Sequence, residues 1–230
     1  MKKLLKKIFY LLIILFFSYF PSSLASTQND INLSNIYSKN YLVFDRNSSL
    51  TIIEKNGFDK TPMASTTKIM TCILAIENGN LNDIVTVSNH VNKITGSKLN
   101  LKENSKIKLE DLLYGLMLRS GNDAAYVIAE HISGNLEIFL NLMNKKAKEL
   151  KLYNTHFTSP HGLDNENHYT TCYDLAILTD YALKNDVFKK IVSTNSTSIF
   201  INNNLTNIHN TNNLLRDSTR FLWCKNRFYI

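Results

Sequence analysis

Apolar and polar positions follow three regimes along this chain. The first is an apolar run, Ile8 to Phe20, with Lys2, Lys3, Lys6 and Lys7 ahead of it. The second is short and β-prone. Tyr41-Leu42-Val43-Phe44 and Leu50-Thr51-Ile52-Ile53-Glu54 flank the turn-like Arg46-Asn47-Ser48-Ser49, which predicts a hairpin, and Ile84 to Val87 and Ile107 to Leu109 read as two further short strands. The third has helical spacing. It covers the segment from Ser65 to about Asn78, Leu109 to Leu118 with an apolar stripe of Leu112, Leu113, Leu116 and Met117, Asp123 to Ile132, Leu136 to Leu150, Cys172 to Lys184, and Val187 to Ser193. Strands are expected to resume after that. Thr155 to Tyr169 has loop chemistry, and the Asn-rich stretch Asn202 to Asn213 reads as compositional bias. The pattern amounts to a strand pair, a central helical cluster and a strand-bearing C-terminal part, without internal repeats.

The 230 residues suffice for one full domain. Four lysines, an apolar stretch and the small-x-small end Ser23-Leu24-Ala25 read as a secretory signal peptide over residues 1–25, cleaved after Ala25. The apolar stretch is short of the roughly 20 residues a membrane span needs. The expected location is therefore extracytoplasmic, with membrane association only through this N-terminal segment. Residues 26–40 read as a flexible lead-in. The formal charge of +7 loses four lysines and no acids with the signal, leaving 22 basic against 19 acidic residues, or +3. A balance that small implies no nucleic-acid partner. Cys72, Cys172 and Cys224 show neither ligand spacing nor an even-numbered framework, so no metal site and no cofactor are expected.

Candidate chemistry begins at Pro62-Met63-Ala64-Ser65-Thr66-Thr67-Lys68. On a helix Ser65 and Lys68 share a face about one turn apart. A lysine whose ammonium is disfavoured by burial can take a serine's proton, and a helix N-terminus offers N–H groups to an oxyanion. A second group, Ser120-Gly121-Asn122, falls in a break between two apolar helices, where side chains can face a cleft. There a hydroxyl can relay a proton, and an amide can hold a substrate carbonyl while bonding the lysine. His161 and His168 are read as structural, and Lys145, Lys146 and Lys148 as a solvated helix face.

Three phrases carry a resemblance: Pro62 to Thr71, Leu113 to Ala125, and Asn154 to Asp164, with similar wording over His168 to Ala176. Together they resemble the serine D-alanyl-D-alanine carboxypeptidases, the low-molecular-mass penicillin-binding proteins, from about Tyr41 to Leu215. The resemblance implies an α/β (α+β) penicillin-recognising fold of the β-lactamase/D,D-peptidase type, a helical cluster packed on an antiparallel sheet, with the catalytic domain at residues 41–215. It implies Ser65 as nucleophile, Lys68 as base, Ser120 as proton relay and Asn122 as the substrate-amide ligand. The implied partners are peptidoglycan stem peptides, with β-lactams as covalent inhibitors, on the cell-wall side of a bacterial membrane. A class A β-lactamase is disfavoured because the second motif is Ser-Gly-Asn rather than Ser-Asp-Asn. A non-catalytic penicillin-binding fragment is the reading from another class.

The family's third motif, Lys-Thr-Gly on a cleft strand, does not occur in this sequence. Where it is due, after His209 to Leu215, the chain reads Arg216 to Ile230. Written as TGG TGT AAA AAC AGG TTT, Trp223 to Phe228 becomes Gly-Val-Lys-Thr-Gly when read one base later. Residues 216–230 are accordingly expected to be out-of-frame translation from near Leu215–Asp217, which leaves the fold incomplete at its C-terminus. Sequencing the gene through codons 205 to 230 tests this. Bases that do not encode Lys-Thr-Gly in the shifted frame would refute it.

Overall fold

The computed structural model describes residues 36–163, 165–212 and 215. The segment expected to be a signal peptide and residues 216–230 lie outside the described residues. Contacts divide the chain into Met1–Tyr37 and Ser38–Ile230, and the fold below is that of the second unit.

The elements run β1 (Tyr41–Asp45), β2 (Leu50–Lys55), β3 (Thr61–Pro62), a 3-10 turn (Ala64–Thr67), α1 (Lys68–Asn78), β4 (Ile84–Thr86), β5 (Lys106–Lys108), α2 (Leu109–Leu118), α3 (Asn122–Ser133), α4 (Leu136–Glu149), β6 (Tyr169–Thr170), α5 (Cys172–Leu183), α6 (Asp186–Ser193), β7 (Ser196–Ile201) and β8 (Asn204–His209). The predicted hairpin is present as an antiparallel pair, β1 with β2, broken by a bulge between Val43 and Phe44. A four-stranded antiparallel sheet has the order β4-β5-β7-β8, and β3 pairs separately with β6.

Helix α1 is the axis of the unit. Every residue from Lys68 through Ala75 is buried, and α1 touches the other five described helices. A helix apolar on all sides has no solvent face and must be surrounded. Ile69, Met70, Ile73 and Leu74 each contribute on the order of 1.5–3 kcal/mol by leaving water. Helix α2 is buried along nearly its whole length and lies against β5, β7 and β8, joining the helical cluster to the sheet.

Local chemistry sets the helix ends. Gly134 closes α3 in the left-handed region (φ +78°), and the Asn135 side chain then caps α4 by accepting from Ile138 N. Thr171 caps α5 through Asp174 N, and Asn185 caps α6 through Val187 N and Phe188 N.

Two readings of the sequence need correction. Part of the Asn-rich stretch is structural: Asn202 and Asn203 both have positive φ (51° and 62°) and turn β7 into β8. Asn tolerates that region better than other residues with a Cβ, and two successive positive φ values match the twist of a tight hairpin. Lys146 does not belong to a solvated face. Its side chain is 18% exposed, pairs with Glu77 at 2.8 Å and lies 5.4 Å from the Tyr181 ring centroid, tying α4 to α1 and α5.

Candidate active site

The chain reaches Ser65 by an unexpected route. Pro62 does not open the helix. It ends β3, paired with Tyr169 of β6. Ala64 then takes a left-handed conformation (φ +43°), and residues Ala64–Thr67 form a 3-10 turn before α1 begins at Lys68. Met63 O stabilises the turn by accepting from Thr66 N at 3.1 Å and from the Thr66 hydroxyl. Ser65 therefore precedes the α-helix proper, because a strand entering at β3 must reverse sharply to join it. Ser65 and Lys68 still share a face.

The four residues expected from the sequence meet in one place. Lys68 Nζ donates to Ser65 Oγ at 3.1 Å, to Asn122 Oδ1 at 2.8 Å and to the His161 carbonyl at 2.8 Å. Ser120 Oγ lies 3.0 Å from Ser65 Oγ, donating to it. Lys68 is fully buried. The carbonyl and the amide oxygen can only accept, whereas the Ser65 hydroxyl can donate or accept. A neutral amine keeps two N–H donors and gains a lone pair, so the same three contacts fit it once the Ser65 bond reverses. In that state Ser120 O–H points to Ser65 Oγ and Ser65 O–H points to Lys68. The arrangement can pull a proton off Ser65 without moving a heavy atom.

The surroundings hold this geometry. Ser120 bridges α2 and α3 with φ +59°. Asn122 opens α3, and its Nδ2 donates to Thr95 O at 2.7 Å while its backbone N donates to Ser97 O at 2.7 Å. Asp123 is buried and accepts from Leu99 N (2.9 Å), Leu101 N (3.0 Å) and Ala124 N (2.9 Å), binding the 95–101 loop over the motif. On the other side the Ser159-Pro160-His161-Gly162 segment is fastened to α1. Thr71 Oγ1 donates to Pro160 O at 2.6 Å, and Gly162 (φ +88°) packs so closely that an added Cβ would sit 1.7 Å from Ala64 O. An open groove of about 600 Å³ adjoins β3 and β6, lined by Lys60, Thr61, Pro62, Asn165, Glu166, His168 and Tyr169.

Burial pushes the His161 ring down to about 4, helped by the positive charge on Lys68. A histidine held neutral in the fold but free to protonate when unfolded supplies stability that is complete above about pH 6.5. That stability is lost as pH falls from about 6.5 to about 4. His161→Gln is expected to flatten this acid limb by about 2 kcal/mol in urea unfolding measured at pH 7 and pH 4, the ring's partial exposure screening the remainder. A variant with the full wild-type slope would rule out His161 as its source.

Sequence reasoning did not anticipate the roles of Thr95 O, Ser97 O and His161 O, since backbone carbonyls leave no trace in residue type. Gly162 was the one available signal, as a glycine after Ser-Pro-His suggests a turn that comes close to something. Among the described residues no group of three or more His, Cys, Asp or Glu side chains is placed to hold a metal ion. No described helix is long and apolar enough to cross a membrane.

The helical cluster, the antiparallel sheet and the Ser-Lys-Ser-Asn cleft make up a penicillin-binding D,D-peptidase fold. Structural comparison agrees: the Streptomyces K15 DD-transpeptidase superposes with a TM-score of 0.75 at 30% identity, covering 81% of this chain and 78% of that one. The sequence profile of the D-alanyl-D-alanine carboxypeptidases (peptidase S11) matches residues 25–223, and the chain belongs to that family. D-alanyl-D-alanine carboxypeptidase DacF of Bacillus subtilis is 36% identical over 201 residues, 84% of this chain and 51% of its own length. DacA of Haemophilus influenzae is 34% identical over 215 residues, 85% of this chain and 55% of its own. The chain thus spans about half the length of these curated relatives.

Proposed function

We propose that this chain carries the acylation chemistry of a serine D,D-carboxypeptidase acting on peptidoglycan stem peptides outside the cytoplasm. The observation that carries the reading is the buried Lys68 amine nitrogen 3.1 Å from Ser65 Oγ, able to take its proton in the neutral state, with Ser120 Oγ 3.0 Å away on the same oxygen. Lys68 takes the Ser65 proton as Ser65 Oγ bonds to the carbonyl carbon of the penultimate D-Ala. The C–N bond to the terminal D-Ala then breaks, and the proton passes through Ser120 to the leaving amine. Asn122 Nδ2, with one hydrogen on Thr95 O, keeps a second for a substrate carbonyl. Water releases the shortened peptide, and a β-lactam, whose leaving group stays tethered, remains as the acyl-enzyme.

The family resemblance gives Lys-Thr-Gly the job of anchoring the substrate carboxylate and supplying half of the oxyanion hole, and that motif is missing from this sequence. Loss of one oxyanion donor costs roughly 10²–10³ in rate, so the rate of acylation reports whether that donor is supplied. A fluorescent penicillin should label the purified chain at one molecule per chain over a long incubation, and Ser65→Ala should abolish labelling. A folded sample that takes no label would favour the non-catalytic fragment, and steady β-lactam turnover without a stoichiometric limit would favour a β-lactamase.

A further inference from the structure

His168 does none of the work described above, although it is 2% exposed and lies directly behind the nucleophile's turn. Its two nitrogens face different segments. Nδ1 lies 2.9 Å from Thr158 N, and Nε2 lies 2.8 Å from Thr67 Oγ1, which donates to Ala64 O at 2.7 Å. The ends of this chain fix its direction. A backbone N–H can only donate, so Nδ1 accepts and carries no proton; a carbonyl can only accept, so the Thr67 hydrogen points to Ala64 O. That leaves Thr67 Oγ1 to accept, and Nε2–H is its donor. The ring is therefore the neutral Nε2–H tautomer, wedged between the Thr158–Gly162 segment and the turn that carries Ser65.

What the relay grips is the strained point of that turn. Ala64 holds φ +43°, a region that costs a residue with a Cβ roughly 1–2 kcal/mol, so something must hold it there. Ala64 C=O and Ser65 N–H belong to one peptide plane and point in opposite directions. A hydrogen bond that fixes the carbonyl therefore also aims the nucleophile's own N–H, a candidate oxyanion donor. The same carbonyl is the atom against which Gly162 packs. We propose that His168 is a positioning residue for acylation: through Thr67 it holds the Ala64–Ser65 peptide plane in its reactive orientation.

The consequence for acylation rests on the function proposed above; the relay itself does not. In Gln the amide nitrogen falls where Nε2 sits and can still donate to Thr67. In Asn the amide oxygen falls where Nδ1 sits and can accept from Thr158, but nothing reaches Thr67. His168→Gln should label with penicillin within about threefold of wild type, and His168→Asn about 10–100-fold more slowly, as expected for a sub-ångström displacement of a reacting group. Thr67→Val should match the Asn variant, and combining the two should add little. A residue that merely fills space would penalise Asn and Gln alike, and equal labelling rates would overturn the proposal. Two readouts need no activity. The imidazole ¹⁵N spectrum should show an unprotonated Nδ1 and a protonated Nε2 at neutral pH, and amide exchange at Thr66 and Thr67 should quicken in the Asn variant but not in the Gln variant. An Nδ1–H tautomer, an imidazolium, or exchange that responds equally to both substitutions would refute the relay even in a chain that takes no label. A chain that takes no label while showing both signatures would refute only the acylation reading.

Discussion

Replacing Lys68 with methionine is expected to slow penicillin acylation of Ser65 by about 10³-fold, the middle of the range for a lost general base. Methionine nearly matches the volume of a fully buried lysine stem, so the helix core around Ile69, Met70 and Ile73 stays filled. What disappears is the donor that faces Asn122 Oδ1 and His161 O. Two buried acceptors then lack this partner, at about 1 kcal/mol or more each, so the melting temperature should fall by roughly 4–8 °C. Stopped-time labelling and a thermal melt on the same sample separate the two effects. Lys68→Arg should not restore the rate, because a guanidinium stays protonated near neutral pH and cannot accept the Ser65 proton. A methionine variant labelling within tenfold of wild type would remove Lys68 from the role of base.

Gly162→Ala is the second large effect, and it arises outside the Ser65, Lys68, Ser120 and Asn122 cluster. The added Cβ would lie 1.7 Å from Ala64 O and 2.4 Å from Ala64 C, on a residue whose φ is +88°. Neither neighbour is a flexible side chain end, so the loop must lift by an ångström or more. Lifting it draws His161 O away from Lys68 and releases the Ala64–Ser65 turn. We expect labelling at least about 10²-fold slower, with a stability loss of about 2 kcal/mol from the left-handed backbone and the lost contacts. Labelling rate and urea midpoint measured together test this, and an alanine variant that labels at the wild-type rate would show that the loop does not position the site.

The parts of the site legible in the sequence were those encoded by neighbours. Ser65 and Lys68 sit three residues apart, and Ser120 and Asn122 flank one glycine, so residue type and spacing identified them. The helices from Ser65 onward were legible because α1 and α2 are apolar beyond what a surface helix tolerates. Less visible was anything supplied by the backbone: the left-handed Ala64, the Thr95 and His161 carbonyls, and the peptide plane that the His168 relay holds. Nor did residue type reveal that Lys146 reaches Glu77, or that Asn202-Asn203 is a hairpin turn inside what looked like biased composition. In each of these cases the deciding fact is which distant segment arrives, and pattern reading along one chain cannot supply it.

That dependence on distant segments gives the site a practical use. Ser65 finds Ser120 55 residues away, and Lys68 finds the His161 carbonyl 93 residues away, on the far side of three helices. A chain with α1 formed but either loop undocked has a serine and a lysine and no reactive centre. Covalent capture of a β-lactam would then be a census of finished molecules: the labelled fraction of a refolding or expression sample counts chains in which all three segments have arrived, whatever the helical content of the rest.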